Sequence, residues 1–351
     1  MAALFIFSSA IVTPLPEVKA SAPSDEMRGI WVSMMDFGPL GLKDRTKKVY
    51  RQNVKKFLKN AKKYKTNAIF LHVRAHDDAL WKSNTFPAMK EITAKATSAK
   101  KASKVYSYDP LEEFIDCADD YNMEVHAYLN PYRIEDSKYL DPALASSRSR
   151  VKKAVKELMD YDIAGIHFDD YFYHSTGGYV NTTKRNNVYS VNISAEAKRA
   201  NVNKLVKSVY NQAHNEDLVF GISPQGNYSN DMNSGADVQK WLSTEGYVDY
   251  VAPQIYWTNS SKSNLYSERL AQFMDLKKAS SVDMYIGLAL YRSGSNVAGD
   301  SGWIEKNYNL RDQVAMLRSA NADGYIMFSA RFLTSSAARN ELNNLKNLLN
   351  E

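Results

Sequence analysis

Cysteine is nearly absent from this chain. A single thiol, Cys117, in 351 residues excludes an internal disulfide and any cysteine-based metal centre. Its setting, Phe114-Ile115-Asp116-Cys117-Ala118, reads as the apolar face of a helix, so a buried thiol is expected rather than a nucleophile. The excess of one sign of charge is also small. Lys and Arg number 45 against 39 Asp and Glu, a net charge of +6. Lysines are scattered along helical stretches such as Lys55-Lys56 and Lys152-Lys153, and no nucleic-acid module is recognisable. Residues 2–12 form an apolar run too short to span a bilayer, so no transmembrane segment is expected. That run is followed by Pro14, Pro16 and the small triplet Ala20-Ser21-Ala22. Residues 1–22 are therefore expected to be a signal-peptide remnant and the protein to be secreted. A glycine-rich phosphate turn is missing as well. The segment after the first β-rich run is Met34-Met35-Asp36-Phe37, which speaks against a dinucleotide-binding open sheet.

Alternation fills the rest of the chain. β-rich apolar runs occur at residues 28–34, 67–74, 124–130, 165–169, 218–224, 248–257, 284–291 and 324–329. Helical stretches at 45–64, 110–121, 148–161, 195–215, 267–279 and 309–319 lie between them, with apolar residues at helical spacing, as in Val54, Phe57, Leu58 and Ala61. Strands alternating with helices imply right-handed βαβ units and a parallel sheet. Eight units in this length predict an α/β fold of the closed (β/α)8 TIM-barrel type, a single domain over residues 27–351. Two long connections, residues 81–108 and 174–193, are expected to rise over the active face, the second with Gly177-Gly178-Tyr179 as a flexible rim.

In such a barrel the residues at strand C-termini build the site. Here those ends are rich in polar and aromatic groups: His72-Val73-Arg74-Ala75-His76-Asp77-Asp78, Asn130-Pro131-Tyr132-Arg133, Gln254-Ile255-Tyr256-Trp257 and Tyr291-Arg292. The most informative is Gly165-Ile166-His167-Phe168-Asp169-Asp170-Tyr171-Phe172-Tyr173, a buried strand that delivers two consecutive carboxylates among aromatic rings. Alternation places His167 and Asp169 inside the barrel and Ile166 and Phe168 against the helices. Acids beside rings suit sugar chemistry, because rings cover the apolar faces of a pyranose while acids move protons.

Adjacent acids approach a bond from one side, whereas the usual glycosidase pair flanks it, about 5–5.5 Å apart in retaining enzymes and about 6.5–9.5 Å in inverting ones. The substrate-assisted variant fits better, with Asp169 orienting a 2-acetamido group and Asp170 acting as general acid/base. If a flanking pair operates instead, Asp78 is the expected partner and Asp36 a weaker one. Arg74 and Arg292 are candidates to bind a carboxylate or hold the acids ionised. Asn130 and Gln254 offer amides to sugar hydroxyls, and Tyr132, Tyr171, Tyr256 and Trp257 are candidate stacking platforms. His76 and His167 complete the candidate substrate-binding set. His72, His76, His167 and His174 follow no zinc spacing, so no metal and no cofactor is expected.

Arg28-Gly29-Ile30-Trp31-Val32, Asp109-Pro110-Leu111, His126 through Arg133, Gly165 through Tyr173, Gly221-Ile222-Ser223-Pro224 and Asp249 through Trp257 together resemble the bacterial glycosyl-hydrolase-like ten family. The resemblance covers nearly all of the chain beyond the N-terminal segment. It implies a secreted or lipid-anchored TIM-barrel glycosidase related to cell-wall glycans, with Asp169 and its neighbour at the catalytic positions. The family pattern places Gly before the residue matching Asp78, and here Asp77 stands there. A weaker likeness is to family-eighteen chitinases, but His167, Asp169 and Tyr171 then fall on the acidic positions and the closing Glu is missing. The expectation is a secreted, monomeric glycoside hydrolase whose partner is a polysaccharide, peptidoglycan with 2-acetamido sugars foremost. A non-catalytic wall-binding barrel and a metal-dependent deacetylase or amidohydrolase are the alternatives.

Overall fold

The computed structural model describes residues 25–174, 178–181 and 184–351, so the expected signal-peptide segment and Gly177 lie outside the described residues. Eight strands form a closed parallel barrel. They are β1 (Met27–Val32), β2 (Ala68–Arg74), β3 (Glu124–Leu129), β4 (Gly165–Asp169), β5 (Val219–Ser223), β6 (Tyr250–Val251), β7 (Asp283–Leu288) and β8 (Gly324–Phe328). Every strand pairs with its sequence neighbour, and β1 closes on β8 from Met27 opposite Gly324 to Trp31 opposite Phe328. The helices around it are α1 (Lys47–Ala61), α2 (Pro110–Asp119), α3 (Ala145–Leu158), α4 (Ala195–His214), α5 (Val238–Ser243), α6 (Tyr266–Leu276), α7 (Asn309–Ser319) and α8 (Arg339–Asn350). Among the described residues, no helix is long and apolar enough to cross a membrane.

The TIM-barrel expectation holds. One strand differs in kind: the apolar run 248–257 contributes only Tyr250 and Val251 as regular strand. Pro253 has no N–H to donate, so the ladder continues as single bonds, Ala252 N–H to the Ile222 carbonyl and Gln254 N–H to the Pro224 carbonyl. This irregularity turns Gln254 toward the mouth. Helix starts are chemically marked. Asp109 caps α2 by accepting from Leu111 N and Glu112 N ahead of Pro110 at the first helical position, and Ser194 caps α4.

Two apolar layers separate as alternation requires. Ile166 and Phe168 join the layer between strands and helices. The barrel interior holds Trp31, Phe70, Tyr128, Tyr250, Tyr285 and Ile326. Gly221 makes room there, since a Cβ on it would lie 2.1 Å from the Tyr250 ring. Both long connections differ from plain loops. Residues 81–108 pack down through buried Trp81, Phe86, Met89 and Ile92, with the Tyr106 hydroxyl linking Met89 N and the Ala79 carbonyl. The connections after β3 and β4 combine into a small sheet in the order Arg133–Glu135, Lys138–Leu140, Gly178–Asn181, Lys184–Tyr189 beside the mouth.

Candidate active site

β4 carries the site. His167 points into the barrel, where its ring nitrogens lie 3.0 Å from the Tyr250 hydroxyl and 3.0 Å from Ser223 Oγ, and Trp31 Nε1 stands 3.3 Å from Nε2. Two residues on, Asp169 emerges at the top of this layer. Its Oδ2 accepts from the Tyr128 hydroxyl at 2.5 Å, and its Oδ1 accepts from Gln254 Nε2 and from Asp170 N–H, both at 2.9 Å. Gln254 is itself held by donating to the Ser223 carbonyl at 3.1 Å.

Burial pushes the Asp169 carboxyl up, and the donors from Tyr128, Asp170 and Gln254 oppose that push by favouring the anion. Asp170 is half-buried, with its open side toward cavities. Burial raises its carboxyl well above the usual range, and the neighbouring Asp169 charge acts in the same direction. The two acids therefore differ in role. Asp169 is the one supplied with donors that favour the anion, and Asp170 the one whose carboxyl is pushed toward the neutral form. Behind Asp170, Asp231 is fully buried in the short helix Tyr228–Ser234; its Oδ1 accepts from Gln225 N–H while Oδ2 has no hydrogen-bond partner.

Both acids line a cavity of about 430 Å3 at the barrel mouth, together with Tyr128, Asn130, Tyr171, Gln254, Tyr256, Tyr291 and Phe328. The rings are set by mutual packing. Tyr291 meets Tyr256 edge-on at 5.6 Å and Phe328 at 5.8 Å, and the Arg133 guanidinium lies 4.9 Å from the Tyr171 ring. A larger surface groove of about 820 Å3 runs between α4 and α5 past Lys204, Lys207, Lys240 and Tyr247. It lies on the barrel flank without a paired-acid floor, so the smaller cavity is the candidate site.

The structure thus gathers Asp169, Asp170, Asn130, Tyr171, Gln254 and Tyr256 from the expected set. The others stand elsewhere. Asp78 is buried under its own loop, accepting from Ala75 N and His76 N, and does not line the cavity. Arg74 is completely buried and clamps the backbone, donating to the Asn130 and Pro131 carbonyls and pairing with Asp77 at 2.9 Å. His76 faces Asp78 and Asp136, Tyr132 is fully buried, and His167 lies below Asp169 rather than in the cavity. Trp257 packs against the core with its carbonyl held by Gln313. Arg292 orients the platforms instead, donating to the Tyr256 carbonyl at 2.6 Å and to the Tyr291 hydroxyl at 2.9 Å. Asp36 is buried in its own turn, accepting from Ser33 N and Ser329 Oγ.

Tyr128 was not among the expected residues, although alternation from His126 on β3 points it inward opposite His167. Tyr291 and Phe328 are equally placed at strand ends. Among the described residues, one group could hold a metal ion: ligating atoms of His76, Asp78 and Glu91 lie within 4.8 Å of one another. Glu91 reaches it from the packed connection after β2, which histidine spacing alone could not show.

With this geometry in view, comparison with known proteins is decisive for kinship. The sequence profile of the family Glycosyl hydrolase-like 10 matches residues 26–136 and 132–305. The chain belongs to that family. It is 25% identical over 389 residues to glycosyl hydrolase DigH of Escherichia coli (strain K12), covering 91% of this chain and 86% of that protein. It is 28% identical over 370 residues to glycosyl hydrolase YngK of Bacillus subtilis (strain 168), covering 90% and 71%. Among solved structures, the PgaB (BpsB) glycoside hydrolase domain of Bordetella bronchiseptica superposes with a TM-score of 0.59 at 12% identity, covering 91% and 99%. A xylanase and α-amylase inhibitor protein, XAIP-III, shares the fold with a TM-score of 0.51 at 13% identity, covering 92% and 99%. These structural likenesses establish the barrel. Chemistry has to come from the site.

Proposed function

We propose that this protein is a secreted glycoside hydrolase that cuts a bacterial cell-wall glycan, peptidoglycan containing 2-acetamido sugars. The observation that carries the reading is the Asp169–Asp170 pair on the floor of an aromatic cavity, one acid supplied with donors and the other pushed toward the neutral form. Family membership and the relatives named as glycosyl hydrolases support hydrolysis. The small-residue triplet after the N-terminal apolar run supports secretion, and monomeric action is expected.

The geometry favours assistance by the substrate. Among the described residues lining the cavity, Asp169 and Asp170 are the carboxylates, and both stand on one side. Asp78, the expected flanking partner, lies off it. A nucleophile from the opposite face is then best supplied by the acetamido oxygen of the sugar. In the first step that oxygen bonds to C1, the C1–O glycosidic bond breaks, and Asp170 gives its proton to the leaving oxygen. Asp169 accepts from the acetamido N–H and offsets the positive charge that develops on the ring. In the second step water attacks C1, the bond from C1 to the acetamido oxygen breaks and restores the acetamide, and the water gives a proton to the Asp170 carboxylate, which regenerates the acid. Tyr171, Tyr256 and Tyr291 offer faces on which the pyranose rests.

The test is mass spectrometry of purified wall digested by the protein, with reducing ends counted alongside. Fragments ending at a 2-acetamido sugar support the reading, as does inhibition by an N-acetylglucosamine thiazoline. Intact glycan after long incubation with tight binding would select the non-catalytic barrel, which XAIP-III's fold makes a real competitor. Loss of acetyl groups that is abolished by a chelator would select the metal-dependent deacetylase through His76, Asp78 and Glu91.

A further inference from the structure

We propose that His76, Asp78 and Glu91 form a structural zinc site that pins the long connection after β2 to the end of that strand. The inference does not rest on the hydrolase reading, and none of the three side chains lines the mouth cavity.

The three groups come from two segments. His76 and Asp78 follow directly on β2, whereas Glu91 returns to them from the packed connection of residues 81–108. One ligating atom of each lies within 4.8 Å of the others. Zinc holds nitrogen and oxygen ligands about 2.0–2.2 Å away in a tetrahedron, which sets them roughly 3.4 Å from one another. His76 Nδ1 and Asp78 Oδ2 are already 3.7 Å apart, so a short inward movement of the side chains closes the set.

Each side chain is anchored by one atom and offers another. Asp78 Oδ1 accepts from Ala75 N and His76 N at 3.1 and 3.0 Å, which fixes the carboxylate and leaves Oδ2 toward His76. His76 Nε2 lies 3.4 Å from Asp136 Oδ1, the kind of carboxylate contact that orients a metal-binding imidazole and turns its other nitrogen to the ion. Glu91 Oε1 faces Lys90 at 3.8 Å, while Oε2 is buried and has no hydrogen-bond partner, a costly state that a cation relieves. Among the described residues, Lys90 is the one Lys or Arg within ion-pair distance of either carboxylate, and it is mostly exposed. Arg74 donates instead to Asp77 and to the Asn130 and Pro131 carbonyls. Burial and the Asp78 charge both push the Glu91 carboxyl up, as expected of acids brought together without a basic side chain between them. One imidazole with two carboxylates suits zinc, whereas calcium takes about six to eight oxygens. Three protein ligands and a water is also the count of catalytic zinc. Here His76 and Asp78 are each 6% exposed and turned away from the mouth, so the ion fastens rather than reacts. Asp136 also pairs with Arg133 at 3.1 Å, which carries the fastening on to the small sheet beside the mouth.

The experiment strips the full chain with a chelator, removes the chelator, and follows zinc uptake by calorimetry and elemental analysis, with calcium as a parallel arm. One zinc per chain is expected, bound more tightly than calcium, with a higher thermal midpoint once zinc exceeds Kd. Trypsin cleavage after the exposed Lys90 and Lys95, inside the connection, should slow when zinc is bound. Asp136→Asn, at a position 81% exposed and so harmless to the core, should weaken zinc by about 10–100-fold, the scale for an orienting partner. Glu91→Gln keeps the side chain's shape but removes a ligand, and should weaken it at least as much. Glu135→Gln, beside Asp136 but outside the site, should leave Kd unchanged. No stoichiometric uptake, uptake indifferent to both Asp136→Asn and Glu91→Gln, or a preference for calcium overturns the inference. Zinc-dependent loss of acetyl groups from wall glycan would overturn the structural role and make the site catalytic. Reducing-end release is read separately: its absence defeats the hydrolase reading, while zinc uptake still decides this site.

Discussion

Asp169 and Asp170 share a backbone and differ in what surrounds their oxygens, and that difference predicts their separate behaviour. Asp169→Asn removes the anion that three donors were arranged to hold, and Asp170→Asn removes the transferable proton. Each should lower reducing-end release by about 10²–10⁴-fold, the usual worth of a positioned acid or base, with thermal unfolding little changed. Activity near the native level in either variant would exclude that carboxyl from the reaction. The pH profile follows from the same surroundings. On the proposed mechanism activity needs Asp169 ionised and Asp170 protonated, so the acid limb would belong to Asp169 and the alkaline limb to Asp170, the latter above the ordinary carboxylate range because burial and the Asp169 charge raise it. Tyr128→Phe deletes a donor to the Asp169 anion. Its carboxyl must then rise further, so the acid limb should move to higher pH while the alkaline limb stays, and activity at the optimum should fall by roughly tenfold or more, as for a lost hydrogen bond to a charged group. A downward shift of the acid limb would contradict the assignment. At this scale the sequence was readable where a residue sits at a strand end: Asp169, Asp170, Gln254, Tyr171, Tyr256 and Asn130 all reach the cavity. It misled where a long side chain turned back. Arg74 sits at such an end but spends its guanidinium on carbonyls of the next strand, a choice set by loop geometry that no spacing encodes.

Elements place these residues, and Asp109 shows how a family motif can be structural. The Asp109-Pro110-Leu111 segment is part of the family resemblance, yet it lies outside the mouth cavity. Asp109 Oδ1 accepts from Leu111 N and Glu112 N at the head of α2, while Oδ2 accepts from Lys82 N and from the Tyr161 hydroxyl. One carboxylate thus ties the connection after β2, the start of α2 and the end of the α3 turn. Asp109→Ala removes a helix cap worth about 1–2 kcal/mol and strands further donors at about 1 kcal/mol or more each, so a loss of roughly 2–4 kcal/mol is expected. Urea unfolding would read it, and a midpoint within error of the native one would show that the network does not hold the element. Helix and strand periods were legible because they run over many residues: α7 falls where its pattern placed it, and β4 likewise. The small sheet beside the mouth was not. Its strands Arg133–Glu135 and Lys138–Leu140 have three residues each, too few for a period to show, and they exist only because the connections after β3 and β4 meet in space.

The whole molecule is a ring that must close, and the seam between β1 and β8 lies far along the sequence from end to end. Counting eight alternating units made that closure foreseeable, but not what fastens it. Glu26, just ahead of β1, is almost fully buried and accepts from both Nε and Nη2 of Arg318 on α7, at 2.7 and 2.9 Å, with Arg28 Nη1 a further 3.3 Å away. Hydrogen bonding on this scale raises the Arg318 guanidinium against a burial that opposes its charge. Removing one partner of a buried pair leaves an uncompensated charge, so Arg318→Ala should cost about 3–5 kcal/mol, whereas replacing both Glu26 and Arg318 by Met should cost much less. The fastening stands at the N-terminal end of the strands, and the acids stand at the other. In this fold the first end serves stability and the second chemistry. Under conditions where Arg318→Ala remains folded, its kcat/KM on wall glycan should therefore match the native protein even as its unfolding midpoint drops. A loss of kcat/KM in the folded variant, or an equal cost for the double replacement, would mean that the two ends of the barrel are not independent, and that the seam reaches Asp169 and Asp170 through the strands themselves.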